Sequence, residues 1–187
     1  MNSLCVYCGS SLGNREEYVM AAESLGIEMA KQEIALVYGG GRVGLMGVVA
    51  NAVLAAGGSV IGVLPRFLDE KEVGHKGLSE MHLVETMHER KDKMADIADG
   101  FVALPGGYGT LDEIFEILTW AQLDLHQKPC GLLNAGGYFD LLLAFLDRAT
   151  TDALLRPAHR SLLLSHSEPE DLLKAMRNFE AQPVLKW

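Results

Sequence analysis

The chain has 187 residues, 49% hydrophobic and 22% charged, and its 25 acidic against 16 basic side chains give a net charge of −9. At about 150 residues per domain, this length allows a single domain over 1–187 with a sizeable core and little room for a second. Such a composition excludes a disordered chain, the lack of an apolar run of roughly 18 residues excludes a membrane span, and the acidic balance argues against nucleic-acid binding.

Met1-Asn2-Ser3 has no basic leader character and runs straight into strand-like sequence, so a cytoplasmic location is expected by default. In chain order the pattern predicts a strand at 4–8, a helix at 16–32, a strand at 34–38, a helix at 45–56 and a strand at 59–64. A polar, glycine-containing segment at 65–80 follows, long enough to form a mobile or interface-forming loop. Next come a strand at 82–84, a helix at 87–98, a strand at 100–104, a helix at 111–123 and a strand at 130–133. A helix at 139–150, a strand at 161–164 and a helix at 170–179 complete the series. Alternating β and α elements with mainly apolar strands predict an α/β fold, a Rossmann-like, doubly wound parallel sheet with helices on both faces. Four helix starts carry capping-box spacing: Asn14 with Glu17, Thr86 with Glu89, Thr110 with Glu113, and Ser167 with Glu170. The odd set Cys5, Cys8 and Cys130 has no metal-cluster spacing, and Cys5 and Cys8 share a strand, so buried thiols are expected over redox chemistry.

Ligands in such sheets bind beyond the carboxyl ends of the strands, which directs attention to the strand-to-helix turns. The turn Gly39-Gly40-Gly41-Arg42-Val43-Gly44 has dinucleotide-fingerprint spacing. It follows the second strand rather than the first, however, and the next strand ends Val63-Leu64-Pro65 without the acid that holds a ribose diol, so no nicotinamide cofactor is expected. Its glycines serve either close packing or direct ligand contact. The second turn, Pro105-Gly106-Gly107-Tyr108-Gly109-Thr110-Leu111-Asp112-Glu113, can converge backbone N–H groups on a phosphate at a helix start. Without the Lys of a P-loop it does not suggest triphosphate hydrolysis. Glu113 reads alone as the third residue of a capping box, and otherwise as a catalytic carboxylate. Arg90 and Lys91 stand early in their helix, where the dipole disfavours cations, so a substrate phosphate, a nucleobase acceptor or Glu113 itself should compensate them. A solvated surface position is the plain alternative for Lys91.

Taken together, Gly39-Gly40-Gly41-x-x-Gly44-Leu45-Met46-Gly47, Met87-x-x-Arg90-Lys91 and Pro105-Gly106-Gly107-Tyr108-Gly109-Thr110-x-x-Glu113 resemble the LOG ("lonely guy") family of cytokinin riboside 5′-monophosphate phosphoribohydrolases. The resemblance runs from the first strand to Thr119-Trp120-Ala121-Gln122. It implies a metal-independent, cofactor-free hydrolase that splits the N-glycosidic bond of AMP or an N6-modified AMP into free base and ribose 5-phosphate. It also implies a homodimer, with the 65–80 region near the partner. By motif, Arg90 and Glu113 are the expected catalytic pair, Gly106, Gly107, Gly109 and Thr110 the phosphate cradle, and Glu72 and Thr119 further substrate contacts. Tyr108, Lys91, Met87, Asp112, Ser10 and Gly41 complete the expected substrate-binding set. Some similar sequences carry a lysine decarboxylase label, yet no lysine here has a pyridoxal phosphate context.

The chemistry agrees with these residue types. Glycosidic cleavage passes through an oxocarbenium-like state that an ionised carboxylate stabilises, and the same carboxylate can orient water. A guanidinium can neutralise the departing base but gives up a proton poorly, which assigns Arg90 to positioning and leaving-group stabilisation. The competing reading is a non-catalytic nucleotide-binding module in which Glu113 only caps its helix. His75, His82, His88, His126, His159 and His166 lack metal-site spacing and are expected at surfaces or interfaces. Tyr108 lines the pocket or packs, Ser10 bonds phosphate or caps a turn, and Trp120 and Trp187 have no assigned role.

Overall fold

After Ser3, the first two strands run through Leu4-Cys5-Val6-Tyr7 and Ala35-Leu36-Val37-Tyr38 without a charged residue because both faces of the sheet are covered. The computed structural model describes residues 1–69 and 74–180. Strand β1 (Ser3–Tyr7) leads through α1 (Glu16–Lys31) to β2 (Ala35–Tyr38), and α2 (Gly44–Ala55) leads on to β3 (Val60–Pro65). A short α3 (Arg66–Asp69) precedes β4 (Glu80–Val84), α4 (Met87–Ile97), β5 (Phe101–Ala103) and α5 (Tyr108–Gln122). Beyond them lie β6 (Cys130–Leu133), a 3-10 turn at Ala135–Gly137, α6 (Asp140–Thr151), α7 (Pro157–Arg160), β7 (Leu163–His166) and α8 (Pro169–Arg177).

The strand order is β4-β3-β2-β1-β5-β6-β7, and each neighbouring pair is parallel. Leu4 and Val6 face a core shared with α1, α2 and α8, while Cys5 and Tyr7 face one shared with α4, α5 and α6. Right-handed crossovers explain the division: winding outward from β1 keeps α1 and α2 on one face, and the return to β5 places α4 and α5 on the other. Succession therefore reverses at β1, which is flanked by β2 and β5. A crevice opens beyond Tyr7 and Ala103, where this fold binds its ligands.

The doubly wound α/β fold expected from the sequence is the one observed, with corrected boundaries. The elements α3, α7 and the 3-10 turn were not anticipated, being too short to show a hydrophobic period. β7 starts at Leu163 rather than 161, because Pro157 opens α7 and Ser161 closes it, its hydroxyl donating to the Ala158 carbonyl at 2.9 Å. Of the four expected capping boxes only that of α4 forms. Thr86 Oγ1 accepts from the Glu89 N–H at 3.1 Å, and Glu89 Oε2 accepts from the N–H of Glu85 at 2.9 Å. The N-caps of α1 and α8 are Arg15 and Glu168 rather than Asn14 and Ser167. In α8 the reason is Pro169, whose fixed φ suits the first helical position and moves the start past Ser167. The three cysteines are buried and unbridged, and burial raises all three thiols above the ordinary value. Among the described residues, no helix is long and apolar enough to cross a membrane.

Candidate active site

A cavity of about 240 Å³ occupies the crevice, lined by the end of β1 (Val6, Tyr7) and the following Cys8, Gly9 and Ser10. Gly39 beyond β2, Met46 of α2, Arg90 and Met94 of α4, and Gly107, Gly109, Thr110 and Glu113 around the start of α5 complete its wall. Polar groups thus come from four separate strand-to-helix connections and meet at the point where the sheet order reverses.

The helix that carries Glu113 begins earlier than the sequence suggests. Gly107 is the N-cap of α5, without a side-chain cap bond, which places Thr110 in the first turn and Glu113 in the second. The predicted Thr110 cap and the matching capping role of Glu113 are both corrected by this start. As at any helix start, the first N–H groups have no intrahelical acceptor, and here no side chain caps them; Gly107 and Gly109 at this end line the cavity. A Cβ added at Gly107 or Gly109 would meet no atom within 4 Å, so both glycines border open space. Gly106 is different, since a Cβ there would collide with Thr110 Oγ1, and its role is close packing.

Arg90 reaches across the crevice to α5. Its Nη1 donates to Glu113 Oε1 at 3.2 Å and its Nε to the Val63 carbonyl at 3.2 Å. Both side chains of the pair are largely withdrawn from water, 11% exposed for Arg90 and 12% for Glu113. Burial raises the Glu113 carboxyl above its ordinary 4.5, and the adjacent Arg90 guanidinium offsets only part of that shift. The anion that compensates Arg90 is therefore Glu113. Lys91 is not solvated, contrary to the plain alternative for it: its Nζ lies 2.9 Å from Glu116 and 3.3 Å from Asp112, and the Glu116 bond chiefly raises its pKa.

The first glycine turn is a packing device for this pair. A Cβ at Gly39 would fall on Arg90 Nη2, and one at Gly44 would fall on the Ser10 backbone. Gly41 forms an isolated bridge with Gly74, and the His75 N–H donates to the Gly40 carbonyl at 2.9 Å. Protein thus packs against the turn at Gly39, Gly40, Gly41 and Gly44, and Gly39 also borders the cavity.

Of the expected site residues, the structure gathers Arg90, Glu113, Gly107, Gly109, Thr110 and Ser10 around the one cavity. Others stand elsewhere. Tyr108 is 95% exposed and packs on nothing, Met87 is exposed at the start of α4, and Asp112 is engaged with Lys91. Thr119 lines a different cavity with Phe115, Leu118 and Leu146, its hydroxyl donating to the Phe115 carbonyl at 2.7 Å. Glu72 and Trp187 lie outside the described residues. His159 is buried, so it departs from the surface expectation, while His126 is half-buried against the Ile117 carbonyl. Trp120 packs against the core on the α5 face. Met46 and Met94 went unnoticed as wall residues, whereas Gly39, the first residue of a glycine run directly after a strand, stood between packing and ligand contact; it packs on Arg90 and borders the cavity.

Comparison with known proteins agrees with this picture. A family model described as "possible lysine decarboxylase" matches residues 46–176. The probable cytokinin riboside 5′-monophosphate phosphoribohydrolase LOGL9 of Oryza sativa subsp. japonica is 51% identical over 176 residues, covering 94% of this chain and 78% of that protein. The cytokinin riboside 5′-monophosphate phosphoribohydrolase LOG1 of Arabidopsis thaliana is 46% identical over 176 residues, 94% of this chain and 83% of that one. Among solved structures, the molybdenum cofactor binding protein from Rippkaea orientalis superposes with a TM-score of 0.71 at 22% identity, covering 94% of this chain and 95% of that one, which establishes the fold alone. The cavity wall does not fit the pyridoxal phosphate that a lysine decarboxylase would need: no lysine is among its residues, and Lys91 is committed to Asp112 and Glu116. With this identity over almost its whole length, the chain belongs to the LOG family of cytokinin riboside 5′-monophosphate phosphoribohydrolases.

Proposed function

We propose that this protein hydrolyses the N-glycosidic bond of a purine nucleoside 5′-monophosphate, AMP or an N6-modified AMP of the cytokinin type, to free base and ribose 5-phosphate. The observation that carries this reading is the buried Arg90–Glu113 pair facing the open glycine turn across one cavity. The 5′-phosphate sits on the first N–H groups of α5 beside Gly107 and Gly109, with Thr110 as a hydroxyl partner. Held there, the ribose presents C1′ to Glu113. As the C1′–N bond breaks, its electron pair leaves with the base, positive charge grows at C1′, and the carboxylate stabilises it. Water adds to C1′ and passes a proton to Glu113, whose raised pKa makes it a better base than an ordinary carboxylate; that proton is then returned through solvent to the departed base, which is released as the neutral purine. Arg90 holds Glu113 in place and lends positive charge to the departing base. Because Glu113 stands clear of the helix cap, the reading as a mere binding module loses its role for that residue.

A homodimer belongs to the same proposal. Phe67, exposed within the 65–80 segment, and Leu83 and Met87, exposed just beyond it, supply apolar surface for a second copy.

The direct test is incubation with AMP and with N6-isopentenyladenosine 5′-monophosphate, followed by chromatography of the free base. Release by the wild type is expected; saturable binding without release would favour the binding module. The acid limb of the kcat profile adds a second check. Turnover needs ionised Glu113 and should fall as pH drops through a value above 4.5. A limb at or below 4.5 would contradict the role given to burial.

A further inference from the structure

Outside the cavity wall, one side chain acts on the glycine turn from behind. Tyr138 follows the 3-10 turn, where Gly136 and Gly137 take φ of +57° and +72°, backbone that a bulkier residue adopts only with strain. Asn134 fixes this bend: its Oδ1 accepts from the Phe139 N–H at 2.7 Å and its Nδ2 donates to Asp140 Oδ1 at 2.7 Å. The Tyr138 ring is held edge-on against Tyr18, at 5.3 Å between centroids, and against Phe139, at 4.9 Å. Arg15 braces the same cluster, its guanidinium 5.6 Å from the Tyr18 ring centre and its Nη1 donating to the Gly136 carbonyl at 3.3 Å. From this rigid seat Tyr138 Oη donates to the Gly106 carbonyl at 2.5 Å.

We propose that Tyr138 is a positioning residue for the phosphate-binding turn, its hydroxyl locking the Gly106–Gly107 peptide so that the Gly107 N–H faces the cavity. The peptide is trans, so its C=O and N–H point in opposite directions. Drawing the carbonyl toward Tyr138 turns the N–H away from it, and Gly107 lines the cavity. The lock matters because two successive glycines resist peptide rotation least of all residues. Without it the carbonyl oxygen would spend part of its time where the N–H belongs, presenting like charge to a phosphate. The inference rests on the phosphate seat proposed above and adds a residue from another element to it.

The test is Tyr138→Phe, which keeps both ring contacts and removes only the hydroxyl. Loss of one hydrogen bond of this kind predicts about a fivefold to tenfold weaker affinity for ribose 5-phosphate by titration calorimetry. The matching kinetic result is a similar rise in KM for the nucleoside monophosphate with kcat nearly unchanged. Slow cleavage of the phosphate-free nucleoside should be the same in both proteins. Unchanged ribose 5-phosphate affinity would overturn the proposal, as would an equal loss of activity on nucleotide and nucleoside, which is the mark of a general structural defect. A wild type that fails to bind ribose 5-phosphate also overturns it. A wild type that binds ribose 5-phosphate yet releases no base refutes the hydrolase reading alone, since the calorimetric comparison still decides the role of Tyr138.

Discussion

Glu113→Gln is expected to leave a folded protein that binds nucleotide and turns it over about 10³-fold more slowly, a loss of roughly 4 kcal/mol of transition-state stabilisation. The amide keeps an oxygen that can accept from Arg90 Nη1, so the crossing between α4 and α5 is preserved. What disappears is the negative charge at C1′ and the base for water. Single-turnover base release with purified variant and wild type measures this, and a variant within tenfold of wild type would refute the mechanism. Stability should move the other way with pH. Because burial raises the Glu113 pKa above 4.5 on folding, the stability its protonated form contributes is fully present below about 4.5 and lost as pH rises through the raised value. Gln does not titrate. The melting temperature of Glu113→Gln relative to wild type should therefore shift in the variant's favour across that window.

Gly39→Ala is the second large effect, and it tests geometry rather than charge. Gly39 does not have a positive φ, so its backbone accepts alanine. The new methyl would land on Arg90 Nη2, and the guanidinium is the part free to move. Moving it breaks the 3.2 Å contacts to Glu113 and to the Val63 carbonyl. A displacement of this order costs about 100-fold in kcat, and the melting temperature should fall as well, because Glu113 is left buried without its partner. Activity within threefold of wild type would mean that the Arg90 position over Gly39 is not the working one.

Much of this architecture was legible in the sequence because strands buried on both faces read as continuous apolar runs, set off from the helical patterns between them. Leu4, Val6, Leu36 and Tyr38 on one face, and Cys5, Tyr7 and Val37 on the other, leave no polar break in either strand. The Arg90 and Glu113 motifs were legible as types at a spacing. Their contact stood only as one alternative among several, because 23 residues and a strand separate them and only the sheet order brings α4 beside α5. The start of α5 was misplaced for a physical reason. Thr110 looks like a cap by residue type, but two glycines before it let the backbone turn into helix earlier, with N–H groups left free rather than capped. Tyr138 was invisible for the opposite reason: it stands in no motif, and a bond between residues 32 apart leaves no local trace.

The position of β1 has a consequence for the order in which the molecule assembles. Its pairing with β2 joins Cys5 to Val37, whereas its pairing with β5 joins Cys5 to Phe101, across nearly a hundred intervening residues. Closing the longer loop carries the larger entropic cost, and contacts of high sequence separation form slowly. The outer half from β1 to β4 can dock early. The catalytic crevice exists only once β5 has returned to the middle of the sheet, so a partly folded chain with much of its secondary structure would still be inert.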